Sequence, residues 1–238
     1  MLSLVVHREP KSVSAEAYRT LRTNIQFLTK GKNTKKIIVT STESGEGKSI
    51  TTGNLALSLS ASGRKVLIID CDLRKPSIHK YFKLDNDVGI ADVIVEKLEY
   101  EKVINKFSNN LHIITAGQSL INPGELLSID NIEPILNELG KAYDIILIDT
   151  PPVISVTDAQ LLAAVSDGVI MVLSAGQTNK KLCQRALQLL NNVNANIIGV
   201  VLNKVSGNFG AYYNKGQYAG FGNRGNAGKR SRKKEKVI

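Results

Sequence analysis

Hydrophobic positions along the chain follow two alternating patterns: short runs that are apolar throughout, and longer segments with apolar residues at helical spacing. Fully apolar runs rich in branched residues predict buried strands of a parallel sheet, and the spaced segments predict helices that cover it. The predicted strands cover 36–40, 65–70, 111–115, 144–149, 168–173 and 196–202, and the predicted helices cover 13–28, 50–62, 125–139 and 179–190. This alternation predicts an α/β fold with a mostly parallel sheet flanked by helices on both faces.

The alternation stops after Lys204. Residues 206–238 are rich in Gly, Asn, Tyr, Lys and Arg, a composition that buries too little apolar surface to fold alone. The sequence therefore predicts two parts. Residues 1–205 form a folded domain that includes the N-terminal helix over 13–29, and residues 206–238 form a flexible tail.

The charge of the chain is unevenly distributed. It has 238 residues, with 31 Lys and Arg against 21 Asp and Glu, for a net charge of +10. Residues 224–238 hold seven basic residues and one acidic residue, and so contribute +6 of that total. A basic balance usually points to nucleic acid or to a membrane surface, but here it belongs mainly to the tail.

Several classes of protein are disfavoured by the composition. No stretch approaches the roughly 18–20 apolar residues that a membrane-spanning helix needs. The N-terminus lacks the basic start and long apolar run of a secretory signal. Cys71 and Cys183 are too few for a disulfide framework, and indicate reduced thiols in a cytoplasmic protein.

The strongest local motif is TESGEGKS at residues 42–49, between a predicted strand and a predicted helix. That context is typical of a P-loop, in which backbone amides and a helix N-terminus surround phosphate oxygens. Lys48 would reach the β- and γ-phosphates, and the Ser49 hydroxyl would ligate Mg²⁺. The predicted nucleotide-binding residues are Ser44, Gly45, Glu46, Gly47, Lys48, Ser49 and Ile50. Thr42 stands where the motif has its first glycine, and a tight βα turn with a solvated lysine is the alternative.

Three aspartates follow two of the predicted buried strands. Asp70 and Asp72 end VLIIDCD, and Asp149 ends IILID. Because ligands gather at the carboxyl ends of parallel strands, we expect all three to converge on the phosphate-binding loop. Taken singly each could be a turn or helix-capping residue, whereas together they indicate a magnesium or catalytic site, since Mg²⁺ prefers hard oxygen ligands.

In combination, GEGKS, LIIDCDLRKP and LIDTPP resemble the motifs of the bacterial tyrosine kinases, which belong to the ParA/MinD-like P-loop ATPases. The resemblance extends over about residues 13–205, and is closest to the cytoplasmic kinases of Gram-positive capsule and exopolysaccharide systems. It implies a P-loop NTPase fold that uses ATP and Mg²⁺ to phosphorylate protein tyrosine.

The resemblance also implies roles for single residues. Lys48, Asp70, Asp72 and Asp149 match the catalytic set, in which Asp72 is the better candidate to accept the tyrosine proton. Ser49, Asp72 and Asp149 match the positions that hold magnesium.

Further positions match motifs outside the catalytic set. Glu16, Arg19 and Arg22 match a motif that joins subunits into a ring, although charges at this spacing are often only a solvated helix face. Residues 122–127 resemble a segment beside the active site, and Asn203 resembles the residue near adenine.

Two departures separate subfamilies. Glu43 stands where ParA and MinD proteins carry a signature lysine, which argues against a partitioning ATPase. The H-R-D and D-F-G motifs of eukaryotic protein kinases are missing. A ParA/MinD-like positioning ATPase and a non-catalytic nucleotide-switched adaptor remain the alternatives.

The tail contains Tyr212, Tyr213 and Tyr218 within seven residues. The resemblance implies that these are phosphoacceptors, modified in trans within a ring-like homo-oligomer. An aromatic tail that docks on its own domain is the alternative.

The resemblance also implies a separate transmembrane activator that recruits the chain to the inner face of the membrane, a protein-tyrosine phosphatase and other protein substrates. The basic run over 229–236 suits anionic lipid or non-specific nucleic acid. No base-reading module is evident, so specific nucleic-acid recognition is not expected.

Overall fold

The computed structural model describes residues 4–31, 34–118 and 123–205. Within these ranges seven strands form one sheet in the order β3-β4-β2-β5-β1-β6-β7. The strands are β1 (Lys36–Ser41), β2 (Val66–Asp70), β3 (Ile104–Ser108), β4 (Leu111–Ile114), β5 (Ile145–Asp149), β6 (Gly168–Ser174) and β7 (Ile197–Asn203). All neighbouring pairs are parallel except β3 with β4, so the predicted mostly parallel sheet is confirmed.

Helices cover both faces of this sheet. They are α1 (Val5–Arg8), α2 (Val13–Thr29), α3 (Lys48–Ser60), α4 (Ile78–Phe82), α5 (Ile90–Val95), α6 (Pro123–Leu126), α7 (Ile129–Ala142), α8 (Asp158–Ala164) and α9 (Lys180–Asn192), with a 3₁₀ turn at Tyr100–Lys102. The single helix predicted over 125–139 is wrong. Ser128 is extended (φ −61°, ψ 153°) and caps α7, so the chain forms two helices there.

The core lies on both sides of the sheet because its central strands are buried throughout. In β1, Ile37 and Val39 pack with α2 and α3 on one face, where Leu55 and Leu59 are fully buried. Ile38 points to the opposite face, which α5, α7, α8 and α9 cover. Burial of each large apolar side chain contributes about 1.5–3 kcal/mol, so the sheet holds the strand ends in fixed positions.

The strand order places the predicted site residues together. Strands β2, β5 and β1 are adjacent and parallel, so their carboxyl ends meet at one edge. In this register Asp70 pairs with Asp149, and Asp149 pairs with Val39, two residues before the end of β1. The loops that follow these three strands therefore share one edge of the sheet.

No helix in the described ranges is both long enough and apolar enough to cross a bilayer. The predicted tail, 206–238, lies outside the described residues.

Candidate active site

A glycine-rich loop joins the end of β1 to the start of α3. Gly45 and Gly47 have positive φ angles of 84° and 98°, which disfavour other residues. A Cβ atom at Gly47 would lie 1.9 Å from the Asn203 side-chain amide, so the close approach of β7 also requires glycine. The loop thus delivers the N-terminus of α3, with its free amides, to the same edge as the aspartates.

Lys48 lies at the centre of the site and is only 8% exposed. Its Nζ atom is 2.7 Å from Asp72 Oδ2, 3.3 Å from Asp149 Oδ2 and 3.2 Å from Ser49 Oγ. Burial alone would lower the pKa of this ammonium, but the two carboxylates outweigh it and raise the pKa. The site therefore holds a permanent positive charge beside a helix N-terminus, an arrangement suited to phosphate.

Asp149 organises the first turn of α3. This fully buried carboxylate accepts hydrogen bonds from Ser49 Oγ at 2.6 Å and from Thr52 Oγ1 at 3.2 Å. Burial raises the pKa of Asp149, opposed by the Lys48 charge and the Ser49 hydrogen bond. Sequence reasoning missed Thr52, whose signal was its position one helical turn after Lys48.

Asp70 and Asp72 differ in what they contact. Asp72 reaches Lys48, and its other oxygen accepts the Lys75 amide at 3.0 Å. Asp70 instead accepts backbone amides, from Asp72 at 3.2 Å and from Ser77 and Ile78 at 3.0 Å each. Burial and the nearby Asp149 charge raise the pKa of Asp70 to about 7. In the described chain Asp70 thus fixes the loop that carries Asp72, and makes no ion pair with Lys48.

The other predicted nucleotide-binding positions surround the same loop. Asn203 ends β7 and donates from Nδ2 to the Glu46 carbonyl at 2.9 Å. Ser44 and Ile50 are exposed at the loop and at the start of α3.

The predicted subunit-contact residues lie on α2. Glu16 pairs with Arg19, which also donates to the Pro10 carbonyl. Arg22 donates to the Ser58 carbonyl at 3.0 Å, and so ties α2 to α3 within the chain.

Two sets of predicted residues lie wholly or partly outside the description. Asn122 and the tyrosines Tyr212, Tyr213 and Tyr218 are outside the described residues. The rest of the 122–127 segment includes Leu127, which is buried in the core.

The donor set fits magnesium. Ser49, Asp72 and Asp149 supply hard oxygen atoms, and Mg²⁺ usually takes few protein ligands together with water and phosphate. No group of three or more His, Cys, Asp or Glu side chains arranged for a metal occurs within the described ranges, so an all-protein metal cage is not present there.

Comparison with known proteins also identifies similarity to P-loop NTPases and to tyrosine-protein kinases. A family model described as "ParA: NUBPL iron-transfer P-loop NTPase" matches residues 32–235. Tyrosine-protein kinase YwqD of Bacillus subtilis is 40% identical over 203 residues, which is 84% of this chain and 85% of the relative. Putative tyrosine-protein kinase CapB of Staphylococcus aureus is 39% identical over 217 residues, 90% of this chain and 95% of the relative.

A solved structure shows the same similarity. The crystal structure of the chimerical protein CapA2B2 superposes on this chain with a TM-score of 0.81 at 34% sequence identity. The match covers 86% of this chain and 91% of the CapA2B2 chain. The chain thus combines this sheet order and this cluster of a glycine-rich loop, a buried lysine and aspartates with about 40% sequence identity to proteins named as tyrosine-protein kinases. The chain therefore belongs to the bacterial tyrosine-protein kinase family, within the ParA-like P-loop NTPases.

Proposed function

We propose that this chain transfers the γ-phosphoryl group of ATP to Tyr212, Tyr213 and Tyr218, and thereby regulates capsular or exopolysaccharide biosynthesis and export. The observation that carries the proposal is the buried Lys48 ammonium, held between Asp72 and Asp149 at the N-terminus of α3. Its relatives YwqD and CapB bear the name tyrosine-protein kinase, which supports tyrosine as the acceptor.

Binding of the nucleotide follows from the loop and its neighbours. The amides of the loop and of the first turn of α3 bind phosphate oxygens, and Lys48 neutralises the transferring group. Asn203 donates through Nδ2 to the loop, which leaves its Oδ1 as an acceptor for the amino group of adenine. Ser49, Asp72 and Asp149 would hold Mg²⁺, which would neutralise phosphate charge.

Transfer to tyrosine requires a hydroxyl with an ordinary pKa near ~10 to lose its proton. Asp72 is the proposed acceptor, because one of its oxygens faces the reacting edge beside Lys48 while its other oxygen is fixed by the Lys75 amide. Asp70 keeps the Asp72 loop in place through three backbone amides. Since the transition state is loose, positioning and charge neutralisation supply most of the rate.

Assembly and location complete the proposal. Glu16, Arg19 and Arg22 of α2 join neighbouring subunits into a ring in which each tail reaches the next active site. A separate transmembrane activator recruits the kinase to the inner face of the cell membrane, and a protein-tyrosine phosphatase reverses the modification. Other proteins serve as further substrates.

Mapping of phosphotyrosine tests this proposal. We expect incubation with Mg-ATP and a candidate activator fragment to label Tyr212, Tyr213 and Tyr218, because these residues cluster in the tail. Replacing all three with phenylalanine should abolish most of the label while ATP still binds, since the catalytic cluster is unchanged. Mass spectrometry identifies the modified residues, and calorimetry with ADP measures binding.

The matched control replaces Tyr100, Tyr143 and Tyr81 of the folded domain with phenylalanine, one at a time, and should leave tail labelling in place. ATP hydrolysis without label on any tail tyrosine would favour a ParA/MinD-like positioning ATPase instead.

Phosphorylation is expected to dissociate the ring. Each phosphate adds roughly −1.5 to −2 charges, so three phosphates offset most of the +6 carried by residues 224–238 and make the tails repel one another. Light scattering after size separation should show smaller particles for the phosphorylated chain. Identical masses before and after phosphorylation would contradict this expectation.

A further inference from the structure

An acidic side chain occupies the centre of the loop that we propose binds an anion. Glu46 lies between the two positive-φ glycines, and is only 5% exposed. Burial of a carboxylate is costly unless it is hydrogen-bonded, and a negative charge here would repel phosphate. The contacts of Glu46 show how the loop accommodates it.

The Glu46 carboxylate is directed back toward the exit of β1. Its Oε2 atom accepts the backbone amides of Thr42 at 2.7 Å and Glu43 at 3.0 Å. One carboxylate oxygen thus accepts hydrogen bonds from two backbone amides of the same loop, and hydrogen bonds to a carboxylate are stronger than those between neutral groups.

The second oxygen of Glu46 reaches the loop after β6, the strand next to β1. Oε1 accepts a hydrogen bond from the Thr178 hydroxyl, which in turn accepts the Ser174 amide at 2.8 Å at the end of β6. The Glu46 carbonyl accepts from Asn203 at the end of β7. Through this one residue, the loop is connected to the carboxyl ends of three strands, β1, β6 and β7.

We infer that the Glu46 side chain is a positioning residue that preshapes the phosphate-binding loop. This inference rests on the proposed nucleotide site. By fixing the first turn of the loop, Glu46 lowers the ordering cost of binding, because the loop amides are already in place. Among the described residues Glu46 makes no hydrogen bond or ion pair with Lys48, Asp72 or Asp149, so its role concerns the shape of the loop.

Calorimetry on the full chain with Mg-ADP tests the inference. Glu46→Ala should raise the Kd by about tenfold, corresponding to loss of about one charge-assisted hydrogen bond. Glu46→Gln should restore most of the affinity, because its amide oxygen still accepts both backbone amides. Glu46→Ala should weaken the binding of inorganic tripolyphosphate by the same factor as the binding of ADP, because Glu46 shapes the part of the site that binds phosphate and not the part that binds the base.

Glu43→Ala is the matched control, since Glu43 is an exposed acidic residue of the same loop and its side chain is used by no proposed contact. Its ADP affinity should equal that of the wild type. An unchanged Kd for Glu46→Ala, or an equal loss for Glu43→Ala, would overturn the inference.

Hydrogen exchange of the apo chain gives a second readout that does not depend on nucleotide. Peptides over residues 40–47 should be protected in the wild type and in Glu43→Ala, and should exchange faster in Glu46→Ala. Equal exchange in all three variants would refute the role of Glu46. Absence of tyrosine labelling with this exchange pattern intact would instead refute only the proposed kinase function.

Discussion

Replacing Lys48 with methionine should reduce tyrosine phosphorylation by at least about 10²–10³-fold, the cost of removing one preorganised charge-stabilising group. The site explains the size of this effect. The Lys48 ammonium is nearly buried, is held charged by two carboxylates, and is the first residue of α3. Methionine has a similar length and an apolar stem, but leaves nothing to neutralise the γ-phosphoryl group during transfer.

The measurement is the initial rate of labelling on the tail at saturating Mg-ATP, so that weaker binding does not mask the effect on transfer. Lys141→Met serves as the control, because Lys141 is a lysine on α7 with a side chain 73% exposed, and its surface pair with Glu138 contributes little. Circular dichroism establishes that both variants are folded. A Lys48→Met chain that labels its tail at close to the wild-type rate would contradict the assigned role.

Buried parallel strands were the most predictable part of this fold. Each predicted strand is present, because runs such as IIV in β1 and LII in β2 are apolar on both faces and therefore unambiguous. The predicted burial is wrong for β7, an edge strand in which Val200 and Leu202 are exposed. Strand β3 was missed because its sequence, INKFS, has only two apolar residues and neither a continuous apolar run nor a regular alternation. It lies at the sheet edge, antiparallel to β4. Local pattern contains no information about which strand will pair with such a segment.

Short helices were the least predictable part. Helices α1, α4, α5 and α8 have only four to seven residues, too few for a helical period to be visible in the sequence. The break at Ser128 was missed for a related reason. Apolar spacing continues across it, and only Leu127 and the extended Ser128 separate α6 from α7.

Candidate site residues could be located by their position after strands, but not distinguished from one another. The prediction that Lys48, Asp72 and Asp149 meet at the carboxyl ends of the strands agrees with their ion pairs. Asp70 ends β2, two residues before Asp72, yet its Oδ2 atom accepts the Ser77 and Ile78 amides. The direction of each side chain depends on the path of the following loop, which sequence spacing does not determine.

Replacing Asp72 with asparagine separates its proposed role as a base from its role in holding magnesium. Asparagine keeps the shape of the side chain and can still accept the Lys75 amide, but it has no negative charge with which to accept a proton. We expect tyrosine phosphorylation to fall by about 10²–10⁴-fold, the usual contribution of a general base. Affinity for Mg-ADP should fall by less than about tenfold, or 1.4 kcal/mol, because Lys48, Ser49 and Asp149 remain.

Two comparisons make this result interpretable. Asp87→Asn removes an exposed carboxylate from the surface and should leave both quantities unchanged. Asp149→Asn should weaken both Mg-ADP binding and transfer, because Asp149 orders Ser49 and Thr52 as well as Lys48. If Asp72→Asn instead reduced binding and transfer by the same factor, Asp72 would act on the nucleotide and its metal alone. The tyrosine would then lose its proton without Asp72, as a loose transition state with little nucleophile bonding permits.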